Sequence, residues 1–79
     1  MRFDVKVSEE EILDTISDLG CSSDLPSIVD YVSERHSVSS NHRSLLANQI
    51  LRRLAILVKY RFVRRTGQKG HYVYHLEDE

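Results

Sequence analysis

Cysteine appears once, at Cys21, so the chain can form no internal disulfide. That fits a reducing compartment. With no Cys-x-x-Cys spacing and no base beside it, the thiol reads as a small residue at a helix–helix junction. Glycine appears three times and proline once, each where a helix or hairpin has to start, stop or turn, and there are no repeats, linkers or low-complexity segments. No apolar run approaches the ~18–20 residues that span a bilayer. The opening Met1-Arg2-Phe3-Asp4 holds no signal-peptide hydrophobic region. These scarcities point to an intracellular chain with no membrane partner. The scarcity that matters most is of acid. Residues 41–76 contain none, while Arg43, Arg52, Arg53, Lys59, Arg61, Arg64, Arg65 and Lys69 place eight bases there. The remainder sets Arg2, Lys6 and Arg35 against all twelve acids, so a formal net charge of -1 conceals about +8 on one segment and about -9 on the rest. A small domain this polarised is expected to turn one face to a polyanion.

What is present suits one globular domain over residues 1–79. A chain of this size buries only about 60% of its unfolded surface, which supports one modest core. Phe3, Val5 and Val7 alternate with Arg2, Asp4 and Lys6, the period of a half-buried strand. Ser8 and Glu11 have capping-box spacing, and the three glutamates Glu9, Glu10 and Glu11 sit at the positive end of the helix dipole. A first helix therefore runs to about residue 19, with Ile12, Leu13, Ile16 and Leu19 in one stripe, and stops at Gly20. Residues 21–24 read as a short polar connection. Ser23 or Asp24 caps a second helix over about 25–36, with Pro26 in its first turn and Leu25, Ile28, Val29 and Val32 inward. Ser40 or Asn41 caps a third helix, from about 42 to 59 or 60. Its 100° steps put Leu46, Ala47, Ile50, Leu51, Leu54, Leu57 and Val58 on one face. Leu45 and Ile56 fall among the polar residues of the other face. Strands over 62–66 and 71–76 join through a turn at Gly67 to Gly70, and the chain ends in the acidic Glu77-Asp78-Glu79.

A strand, three helices and a terminal hairpin is the element order of the winged helix-turn-helix. The run Ile50-Leu51-Arg52-Arg53-Leu54, then Leu57, then Phe62-Val63-Arg64-Arg65-Thr66-Gly67, Lys69-Gly70 and Tyr72-Val73-Tyr74 resembles the recognition-helix-to-wing passage of small prokaryotic winged-helix regulators. A fold-level echo of the linker-histone globular domain rests on Ser27-Ile28, Tyr31-Val32, Val38, Asn41, Ile50 and Arg52-Arg53-Leu54; that family's Gly-Ala-Ser-Gly-Ser-Phe wing is absent here. The resemblance implies an α+β fold with three helices, a C-terminal β-hairpin wing and a short N-terminal strand. One position departs from both families: where the third helix exits, the usual glycine is replaced by Arg61.

The function implied is binding of double-stranded DNA, as a small transcriptional regulator. Arg43, Asn48, Gln49, Arg52, Arg53 and Lys59 are the candidates on the third helix, since arginine suits guanine edges and asparagine or glutamine suits adenine. Arg64, Gln68 and Lys69 are the candidates on the wing, reaching the backbone or the minor groove. Such proteins often work as homodimers reading two half-sites. The competing reading is a winged-helix adaptor that binds protein without DNA, the acidic first half then meeting a basic partner. No enzyme is expected: every serine has a capping or turn role, and no Gly-x-Ser-x-Gly elbow exists. No cofactor, metal or small-molecule ligand is implied. His71 and His75 share a strand face but lack a further ligand, and Gly67-x-x-Gly70 is too short for a phosphate loop.

Overall fold

The computed structural model describes residues 5–77. Its elements are α1 (Glu9–Asp18), β1 (Ser22–Asp24), α2 (Leu25–His36), a 3-10 turn (Ser40–His42), α3 (Arg43–Lys59), β2 (Val63–Gln68) and β3 (His71–Leu76). The chain is thus α+β, with three helices and, among the described residues, one antiparallel three-stranded sheet of order β1-β3-β2.

Local chemistry sets the helix ends. Ser8 accepts from the Glu11 amide at 3.1 Å, and Asp24 accepts from the Ser27 amide at 3.1 Å, each satisfying a donor the first turn leaves free. The Glu11 carboxylate was expected to return to Ser8. It turns instead to His36 Nε2 at 2.7 Å. Neither Ser40 nor Asn41 caps α3; the 3-10 turn enters it directly, and His42 stands at its N-cap without a side-chain bond there. Helix α1 stops in a Schellman arrangement. The Gly20 amide reaches Ser17 O at 3.1 Å and the Cys21 amide reaches Ile16 O at 2.9 Å, with Gly20 at φ +96°.

The same arrangement ends α3 at a residue ill suited to it. The Arg61 amide donates to Val58 O at 3.1 Å and the Phe62 amide to Leu57 O at 2.9 Å. Arg61 therefore holds the left-handed position, φ +66°, where a Cβ crowds the following carbonyl. Arg61→Gly is expected to stabilise the fold by about 0.5–1 kcal/mol, the relief of that crowding less glycine's extra entropy. Urea unfolding checks this; a lower midpoint would contradict the assignment.

Of the first strand expected from Phe3, Val5 and Val7, the described part is not in the sheet. Residues 2–4 lie outside the described residues, and 5–8 have no regular structure. Val7 is nevertheless fully buried, so the alternation reported one buried side without a ladder. The third strand comes from Ser22-Ser23-Asp24, which pairs with His75, Tyr74 and Val73. Its last residue is extended because it is the N-cap of α2: Asp24 has φ -85° and ψ 168°. The hairpin is longer than expected. Gln68 pairs with His71, so Lys69 and Gly70 form the turn and Gly67 lies within β2. Gly67 has φ +99°, and a Cβ there would sit 2.5 Å from the His71 carbonyl oxygen, which only glycine avoids.

The core is drawn from every layer: Val7, Ile12, Ile16, Ile28, Val29, Val32, Leu46, Ile50, Leu54, Leu57, Val63 and Tyr74. Burial raises the pKa of the Tyr74 phenol, and the Arg65 guanidinium beside it offsets part of the rise. Buried positions on α3 fall at 46, 50, 54 and 57, a narrower stripe than expected. Ala47 and Val58 pack at its edge, and Leu51 is 44% exposed.

Candidate nucleic-acid interface

Helix α3 runs across the core with one arc outward. At 100° per residue, Asn48, Arg52 and Lys59 fall within about 40° of one another on the arc opposite Leu46, Ile50 and Leu54. All three are exposed. Arg52 has no protein partner among the described residues, and Lys59 lies 5.8 Å from the Tyr60 ring centroid. Leu45, Asn48, Gln49, Arg52, Arg53 and Ile56 line one shallow, open surface along the helix.

Two candidates on this surface are already engaged. The Gln49 amide donates from Nε2 to Val5 O at 2.9 Å and accepts from the Val7 amide through Oε1. One side chain thus serves the backbone of the N-terminal strap as a strand neighbour would. Arg53 pairs with Glu9 at 2.9 Å, both about 40% exposed. Arg43 pairs with Asp30 of α2. Arg64 lies 3.6 Å from Glu77. Exposed ion pairs of this kind contribute little, about 0–1 kcal/mol, so these arginines can exchange a carboxylate for a phosphate at small cost. Gln49 is different, because releasing it strands two backbone groups. Gln49→Glu is expected to cost about 1–3 kcal/mol, since a carboxylate cannot donate to Val5 O. Denaturant unfolding checks this, and an unchanged midpoint would mean the amide is not a clamp.

The hairpin carries its bases by register. Arg64 pairs with His75 and Arg65 with Tyr74, so the two arginines fall on opposite faces. Arg65 is exposed and stacks 4.2 Å over the Tyr72 ring, a cation–π contact that holds its guanidinium on the sheet face. Gln68 is at the end of β2 and Lys69 in the turn, both exposed, and Lys69 has no protein partner among the described residues. His75 Nε2 is 2.8 Å from Thr66 Oγ1. Among the described residues no group of three or more His, Cys, Asp or Glu could hold a metal, and no helix is long and apolar enough to cross a membrane.

The acids gather elsewhere. Glu11 lies between His36 and Arg35. Asp18 accepts from the Tyr31 hydroxyl at 2.6 Å, and that bond raises the phenol's pKa. This network ties α1 to α2; among the described residues, Glu9 is the carboxylate paired along the outward arc of α3. The pairings of Arg43, Arg53 and Gln49 could not be read from local spacing, because each joins residues far apart in sequence. No family model, curated protein or solved structure matches the chain.

Proposed function

We propose that the chain is a winged helix-turn-helix domain that binds double-stranded DNA, serving as a small intracellular transcriptional regulator. The element order and the sheet order support this reading: α3 follows α2 through a short turn and feeds directly into the hairpin, which stands as the wing. The observation that carries it is the line of Asn48, Arg52 and Lys59, exposed and offered by a helix whose segment holds no acid. A helix fits the major groove, where Arg52 suits guanine and Asn48 suits adenine. Lys69 at the wing tip suits the backbone or the adjacent minor groove. Arg43, Arg53 and Arg64 join after exchanging their carboxylates, and Arg65 adds charge from the wing face. Gln49 works behind this surface by holding the strap, and Gln68 stands beside the tip as a second polar contact.

The adaptor reading is kept because three hydrophobic side chains, Leu45, Leu51 and Ile56, are 40–51% exposed along the same helix. Selection of bound duplexes from a random pool separates the two. A regulator returns a consensus, whereas an adaptor returns none and shows no mobility shift at low salt.

A further inference from the structure

The strap of residues 5–8 enters α1 along the flank of α3 and is held there at two successive turns of that helix. Gln49 donates to Val5 O at 2.9 Å and accepts from the Val7 amide. Four residues on, Arg53 meets Glu9, the first residue of α1, at 2.9 Å. A carbonyl and the amide two residues later share one edge of an extended chain, so one Gln49 side chain can take both only by fixing the strap in that form around Lys6. Val7 is buried and Val5 packs against the core. Successive side chains of an extended chain alternate. Lys6, between two inward valines, is therefore turned away from the core; it is exposed and has no protein partner among the described residues.

The surroundings say what this lysine meets. Gln49 lines the same shallow surface as Asn48 and Arg52. By helical steps it stands about 60° from Arg52 and about 100° from Asn48, so the strap lies beside that surface and not across its middle. A helix about 10–12 Å in diameter fills a major groove about 12 Å wide. A side chain beyond its flank then faces the sugar-phosphate backbone at the lip of the groove rather than a base edge. The carboxylates around the strap are occupied or turned away. Glu9 is held by Arg53, Glu11 by His36 and Arg35, and Glu10 is exposed two helical steps from the buried Ile12, on the outer side of α1.

We propose that Lys6 is a further phosphate-binding residue of the duplex interface, and that Gln49 is the positioning residue that holds it at the lip of the groove. The proposal rests on the duplex-binding reading of α3. It adds an anchor outside both the helix and the wing, and it gives Gln49 a part in binding without a contact to any base. Because Lys6 meets backbone, its contribution carries no sequence preference.

Anisotropy titrations of the full chain on a mixed-sequence duplex, repeated across salt concentrations, test this. Lys6→Ala should make the slope of log affinity against log salt shallower by about 0.9 and weaken binding about 8-fold at about 0.1 M salt, one phosphate's share of the counterion release. The loss should be the same on a second, unrelated duplex, with thermal melting unchanged, and Lys6→Arg should keep the slope. On a Gln49→Met background, which frees the strap, Lys6→Ala should weaken binding less than about 2-fold, a coupling that a purely structural glutamine would not produce. A slope unaltered by Lys6→Ala, in a chain whose binding Arg52→Glu still removes, would overturn the proposal and leave α3 as the duplex-binding helix. An undiminished loss on Gln49→Met would overturn the role of Gln49. Absence of binding by the unaltered chain would overturn both the proposal and the reading beneath it. Where Gln49→Met does not fold, the Lys6 variants decide the proposal by themselves.

Discussion

Arg52→Glu is expected to lower duplex affinity by about 100-fold or more while leaving the fold intact. One bidentate base contact is worth about 1–3 kcal/mol, and the reversal also turns an attractive charge against phosphate. Arg52 is the clean probe because it is exposed and has no protein partner among the described residues; substitutions at such positions stay within about 0.5 kcal/mol of stability. Arg53→Glu would not be clean. It sets a carboxylate against Glu9, which now lies 2.9 Å from the guanidinium, and so perturbs the start of α1 as well as the surface. Asn48→Ala should act more narrowly, relaxing preference at one base pair. Mobility shifts against the selected duplex, with thermal melts of each variant, check all three. Full affinity in Arg52→Glu would remove α3 from the interface.

Ile50→Ala is expected to cost about 2–5 kcal/mol, the range for deleting a fully buried aliphatic side chain. Ile50 is 0% exposed at the centre of α3's inner stripe. Small domains of this kind hold only about 0.05–0.15 kcal/mol per residue in reserve, so the variant would lose a large share of its stability. Leu51→Ala, one residue on, should cost less than about 0.5 kcal/mol, because that side chain is 44% exposed. Urea titrations of the pair decide the rotation of α3. Equal losses at both positions would mean that Leu51 is as buried as Ile50 and would contradict this rotation.

The contrast between Ile50 and Leu51 shows what could be read from the chain alone. Periodicity located α3 and its inner face to within one residue per turn, since burial of Leu46, Ile50, Leu54 and Leu57 follows the helical step. It overreached at Leu51, because hydrophobicity marks what can be buried and not what is. The cap at Ser8, the second cap to within Ser23 or Asp24, and the stop at Gly20 were legible because they act within four residues. β1 was not: Ser22-Ser23-Asp24 has no apolar side, and only β3, about fifty residues on, makes it a strand. Val5 and Val7 misled in the opposite sense. Their alternation was real, but the backbone partner is the side chain of Gln49 rather than a strand. Among the site residues, the basic segment was plain from charge. Which arginines are paired was not, since Arg43–Asp30 and Arg53–Glu9 each join different helices.

The dependence of duplex affinity on salt tests the central claim most directly. Lys59, Lys69 and Arg65 offer about three phosphate contacts per chain, paired arginines that exchange their carboxylates add about one or two, and each neutralised phosphate adds about -0.9 to the slope of log affinity against log salt. The account predicts a slope of about -3 to -5 per chain, which falls by about one in Lys69→Ala with no change in sequence preference. An absence of duplex binding at low salt, or an affinity that does not change with salt, would contradict it.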